Sequence, residues 1–149
     1  MRILSNKEKK ELKSLLPIGY EIDKKDEISE DNEVLFKNGD NFLIILEKNK
    51  KQIVALAPHL KSLTDDTSYK SVYVDRGAIP FIIKGADLMR PGIQIIEDGF
   101  ESGDIVIIRD EKHKKNLAIG RSLFSSVDMK SQEKGKSIEI FHYFNDEFY

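Results

Sequence analysis

The sequence predicts an α+β chain in two parts: a small helix-plus-β-meander region over residues 1–70 and a compact barrel-like sheet over residues 71–149. Three observations predict it. Ser5-Asn6-Lys7-Glu8 has capping-box spacing and leads into Leu12, Leu15 and Leu16, an apolar stripe that stops before Pro17. Two strand-like runs, 34–37 and 42–47, flank Asn38-Gly39, a pair that tolerates left-handed backbone and so marks a hairpin. Beyond residue 70, several short apolar runs alternate with Gly-marked turns, the pattern of a small closed or nearly closed sheet.

After the first helix, Ile18, Tyr20 and Ile22 alternate as in a strand, and the highly charged stretch 23–32 reads as a solvated loop. The hairpin follows, the chain turns at 48–51, and 52–57 completes a three-stranded meander. Pro58 suits the first position of a short helix with Leu60 and Leu63 on its apolar side. Residues 64–71, with Asp65-Asp66, read as a linker. Strands are then expected at 71–75, 93–97, 104–109, 117–123 and 138–143. Helical pieces are expected after Ala78 and over 125–130.

Composition narrows the function. The 149 residues include 40% hydrophobic and 34% charged side chains, enough for a core and for solubility. No apolar run approaches the ~20 residues of a membrane helix, so a cytoplasmic protein without a membrane partner is expected. With no cysteine, disulfides, thiolate metal sites and cysteine nucleophiles are excluded. The net charge is −2, and neither half is basic: residues 1–70 carry 13 basic and 13 acidic residues, the remainder 11 and 13. A nucleic-acid contact would therefore be a local patch that recognises shape.

The most informative segment is VYVDRGAIPFIIKGADLMRPG, from Val72 to Gly92. A strand with apolar Val72 and Val74 runs into Asp75, Gly77 and Ala78. An apolar helical turn, Gly85-Ala86, Leu88-Met89 and a Pro91-Gly92 turn follow. Gly85 offers positive φ, and Asp75 can accept from amides beyond it as a cap. With GDIVII (103–108), AIG (118–120) and SIEIFHYFND (137–146), this order resembles the PUA domain, an RNA-binding module. With the helix and meander in front, the chain resembles the archaeal stand-alone PUA proteins related to the malignant T-cell-amplified sequence protein and the N-terminal part of ligatin.

That resemblance implies an N-terminal α/β-meander domain (1–70) and a C-terminal PUA pseudo-barrel (71–149). It implies a non-enzymatic protein binding the tRNA acceptor region or small-subunit rRNA in translation initiation or recycling, with an initiation-factor-like partner supplied in trans. It also implies an RNA contact at Lys84, Gly85, Ala86, Asp87 and Arg90. Small residues would let ribose and phosphate approach the backbone, and Arg90 would present a guanidinium fork. Arg90 could instead pair with Asp87 or another acid. Arg76 and Arg121 are further RNA-binding candidates, while Lys112, His113, Lys114 and Lys115 read most simply as a hairpin loop. Two rival readings are a protein-interaction adaptor and an RNA-targeting subunit for a modification enzyme acting in trans.

Among the aromatics, Phe141 and Phe144 read as core, and Tyr149 as the best exposed stacking candidate. His59, His113 and His142 lack ligand-like spacing and read as polar surface or hydrogen-bonded residues, so no metal and no cofactor is expected. Ser125-Ser126 lacks a nucleophile-elbow pattern, and no P-loop is present.

Overall fold

A computed structural model describes residues 1–65 and 67–149; Asp66, part of the expected linker, lies outside the described residues. The chain divides into two compact units, Met1–Ser68 with Phe148, and Tyr69–Glu147 with Tyr149.

The first unit is a five-stranded antiparallel sheet in sequence order: β1 (Arg2–Ile3), β2 (Ile28–Asp31), β3 (Val34–Lys37), β4 (Asp40–Asn49) and β5 (Gln52–Pro58). Helix α1 (Asn6–Leu12) starts as its capping box dictates. Ser5 Oγ accepts from the Glu8 amide at 3.2 Å, and Glu8 accepts from the Ser5 amide at 3.1 Å. Leu12 from α1 joins Leu4, Ile22, Ile28, Leu35, Phe42, Leu43 and Ile45 in the core. Each such side chain contributes roughly 1.5–3 kcal/mol of burial.

Three expectations change here. Residues 18–22 are not a strand: Gly19 takes φ +90°, and Tyr20 packs on Phe42 at 5.3 Å while Ile22 enters the core. Their alternation is packing without a ladder. Part of the expected solvated loop is strand β2, with Ile28 and Ser29 buried. Its turn to β3 runs through Asn32 and Glu33, both at positive φ, and a glutamate there gives no turn signal. Pro58 closes β5 instead of opening a helix; the 3₁₀ turn starts at Leu60, after His59 Nδ1 accepts from the Lys61 amide at 3.0 Å.

The second unit is a six-stranded mixed sheet. Its strands are β6 (Ser71–Val74), β7 (Leu88–Met89), β8 (Ile93–Ile96), β9 (Ile105–Asp110), β10 (Asn116–Ser122) and β11 (Lys136–Tyr143), in the order β7-β11-β10-β9-β6-β8. Only the β6–β9 pair among these ladders is parallel. Helices α2 (Ile79–Ile82) and α3 (Ser126–Ser131) complete it. Every longer strand expected in this half is present; β7, two residues long, carries no period to read.

Val72, Val74, Ile82, Leu88, Phe100, Val106, Ile108, Met129 and Ile138 form its core. Gly120 is sterically required. A Cβ there would lie 2.6 Å from the Glu139 carbonyl oxygen, where β10 and β11 shift register.

Candidate nucleic-acid interface

The segment after β6 is held by its own side chains. Asp75 Oδ1 accepts from the Ala78 amide at 3.1 Å, and Gln94 Nε2 donates to Asp75 Oδ2 at 3.2 Å. Pro80 in the first turn of α2 needs no amide partner there. The turn that follows α2 closes at Gly85, φ +87°, with the Gly85 amide bonded to Ile82 O (2.9 Å) and the Ala86 amide to Phe81 O (3.1 Å). This pair of bonds is a Schellman cap, which places a glycine where a side chain would be strained. A Cβ at Gly85 would also lie 2.9 Å from the Tyr143 ring, so this glycine serves the chain's own packing as well as any approach from outside.

Lys84 and Ala86 flank that cap and are exposed. Lys84 has no carboxylate partner among the described residues, nor does exposed Arg76 at the start of the same loop. The end of α2 lies against Tyr143, whose strand partner is Ala118, at the same end of the sheet as the β6 terminus. The structure thus brings Arg76, Lys84, Gly85 and Ala86 to one end of the sheet.

Asp87 and Arg90 are committed elsewhere. Asp87 Oδ1 accepts from the Ile140 amide at 2.9 Å and Oδ2 pairs with Lys136 at 2.8 Å, tying β7 to β11. Burial opposes ionisation of Asp87, but these two donors outweigh it and hold its carboxyl below the usual range. Among the described residues Arg90 pairs with neither Asp87 nor another acid: Nε donates to Met129 O at 2.8 Å and Nη1 to Ile93 O at 3.1 Å, bracing the end of α3 against β8. Arg121 is exposed but stands five residues along β10 from Asn116, about 16 Å at strand rise, with its guanidinium 5.1 Å over the Phe141 ring.

The C-terminal aromatics also divide differently. Phe141 is half-buried, but Phe144 is 41% exposed and packs on Tyr149 at 4.9 Å. The closing strand ends at Tyr143, so Phe144 has left the face that buries side chains. His142 is buried with Nδ1 2.8 Å from Asp146 Oδ2. Asp146 also accepts from the amides of Tyr143 (2.8 Å) and Tyr149 (3.0 Å). Burial pushes the His142 pKa below its ordinary value, and the Asp146 carboxylate only partly offsets it. Sequence reasoning passed over Phe81, 66% exposed on α2, and Met89, 49% exposed on β7; no residue pattern marks either as a surface position.

Residues 70–144 match the PUA domain family. The chain belongs to that family. An uncharacterized protein of Methanocaldococcus jannaschii is 37% identical over 98% of this chain and 93% of its own length. Translation machinery-associated protein 20 of Saccharomyces cerevisiae is 40% identical over 53% of this chain. The Malignant T-cell-amplified sequence 1 homolog of Drosophila melanogaster is 34% identical over 49%. Those matches cover only 47% and 42% of the two eukaryotic relatives.

The crystal structure of a hypothetical protein from Pyrococcus horikoshii covers 98% of this chain and is covered to 95%, at 30% identity and TM-score 0.74. A chain of an H/ACA RNP bound to a substrate RNA covers 64% of this chain and is covered to 29%, at 27% identity and TM-score 0.52. The expected α+β class, PUA fold and kinship with archaeal stand-alone PUA proteins are therefore what this chain has. Among the described residues no helix is long and apolar enough to cross a membrane.

Proposed function

We propose that this PUA protein binds RNA through the end of its C-terminal sheet, taking the tRNA acceptor region or small-subunit rRNA during translation initiation or recycling. The observation that carries the proposal is the capped turn at Gly85, flanked by exposed Lys84 and Ala86 and adjoined by Arg76, with no carboxylate pairing either cation among the described residues. Backbone approach at Ala86 and two unpaired cations suit phosphate and ribose, which fix register on an RNA without reading its sequence. The translation-associated relative and the RNA-bound particle support the same reading. Arg90 and Asp87 contribute by positioning this loop, and Arg121 makes a separate outlying contact. An initiation-factor-like protein acting in trans is the partner that fits this role.

The protein acts in this reading by binding, not by catalysis. The His142–Asp146 pair, whose side chains are 0% and 3% exposed, is closed to any substrate. The test compares wild type with Arg76→Glu/Lys84→Glu for binding to tRNA and to a small-subunit rRNA fragment across a salt series. Loss of binding with unchanged thermal unfolding is expected. Wild-type protein that binds neither RNA at low salt would overturn the proposal.

A further inference from the structure

Tyr73, Arg109 and Lys114 form a cluster that the contact above does not use. Val72 and Val74 are fully buried in the core, so Tyr73 between them points to the opposite face of the sheet. Arg109 lies directly across the parallel β6–β9 ladder from Tyr73 and shares that face. The Lys114 ammonium sits 4.5 Å from the centroid of the Tyr73 ring. Arg109 Nε donates to Asn116 Oδ1 at 2.8 Å, which orients the guanidinium and leaves both terminal nitrogens to point elsewhere.

The β9–β10 turn that carries Lys114 is built, not loose. Asp110, 7% exposed, accepts from the amides of Lys112 (3.0 Å) and His113 (3.3 Å), and the Lys114 amide donates to Asp110 O at 2.8 Å. Lys114 is thus held over the Tyr73 ring, and Arg109, on the neighbouring strand position of the same face, is held by the Asn116 amide. Among the described residues no carboxylate pairs with either. Two cations on one face without a counter-ion make a local positive field, which an anion such as a phosphate would neutralise.

We propose that Arg109 and Lys114, beside Tyr73, form a second phosphate site that takes a backbone phosphate of the same RNA. This rests on the RNA-binding reading above. Tyr143, beneath the Gly85 turn, and Tyr73 are separated by three strand-to-strand steps, β11 to β10 to β9 to β6, or about 14 Å. Both lie toward the end of the sheet where β6 and β9 finish and β10 begins. Tyr143 packs on the core face and Tyr73 looks out from the other face, so an RNA that meets both the Gly85 turn and the Arg109–Lys114 pair passes round the strand ends, a path of a few nucleotides. The basic hairpin then has a role beyond joining β9 to β10.

The test is fluorescence anisotropy with a labelled RNA stem carrying a single-stranded 3′ end, repeated over a salt series. Arg109→Gln/Lys114→Asn removes both charges, and Asn suits the positive φ of 59° at position 114. Lys50→Asn/Lys51→Gly removes the same charge from the β4–β5 turn, where both residues also have positive φ, and serves as the control. The Arg109→Gln/Lys114→Asn variant, which loses one phosphate contact, should lower the slope of log K against log[salt] by about 0.7–0.9 and weaken binding about tenfold at low salt. Lys114→Arg and the control should keep the wild-type slope. An Arg109→Gln/Lys114→Asn variant with the wild-type slope, while Arg76→Glu/Lys84→Glu still weakens binding, would overturn the second site and leave the RNA reading standing. An equal loss in the control would also overturn it, by assigning the effect to bulk charge. A wild type that ignores the RNA removes both proposals together.

Discussion

The edge of the N-terminal sheet and the end of the C-terminal sheet where β6 and β9 finish treat their cations in opposite ways. Around β1, β2 and β4, Arg2 is paired with Glu8 at 2.6 Å and with Glu30 at 3.1 Å, while Lys48 meets Glu30 at 2.6 Å. At the end of the C-terminal sheet, Arg76, Lys84, Arg109 and Lys114 have no carboxylate partner among the described residues. The two regions belong to a chain of net charge −2 with neither half basic. Net charge therefore says little about where a polyanion can bind, because paired cations are already neutralised and unpaired ones are not.

The comparison breaks most visibly if the unpaired cations are reversed. Arg76→Glu/Lys84→Glu should weaken RNA binding about 100-fold at low salt, with thermal unfolding unchanged; a fall in melting temperature instead would make these residues structural. Next in size is Arg90→Gln, which removes a charged donor from the Met129 and Ile93 carbonyls. It should cost about 2 kcal/mol of stability by denaturant titration. The salt slope of RNA binding should stay that of wild type, and a reduced slope would return Arg90 to the contact surface.

A smaller effect is expected from Glu30→Gln, which strips the shared partner from Arg2 and Lys48. Burial opposes ionisation of Glu30, but Lys48 and Arg2 outweigh it and hold its pKa low. Because Arg2 and Lys48 are substantially exposed, the loss should be about 1 kcal/mol or less, with RNA affinity unaffected. The gentlest signal is the pH dependence from His142, where Asp146 offsets part of the burial effect. Its folded pKa is depressed, so its contribution is fully present above the unfolded value of about 6.5 and is lost as pH falls through the folded value. Melting temperature should decline over that window in wild type and less in His142→Gln; identical profiles would show that His142 does not carry the slope.

Local chemistry was legible wherever one residue does one job within a few positions. The Ser5/Glu8 box, the Asn38-Gly39 hairpin and the Asp75 cap each appear where their spacing placed them. Gly85 was legible as a positive-φ position, but its contact with Tyr143 was not, since that partner is 58 residues away. Strands β1 and β7 pair through only two residues each and show no period, and the alternation at Ile18, Tyr20 and Ile22 imitated one.

The site divides along the same line. Lys84 and Arg90 are both cations beside a glycine-containing turn, and only the position of α3 makes one of them a brace and leaves the other in solvent. By itself the sequence determined the α+β class, the PUA resemblance and most strands of the C-terminal sheet, because caps, turns and apolar periods are set by neighbours in the chain. Tertiary structure alone decided which charges are paired, that Phe144 faces outward, that Lys114 lies over the Tyr73 ring and that Arg109 stands across the ladder from it. Those outcomes depend on side chains brought together from distant strands, whose meeting no local pattern records.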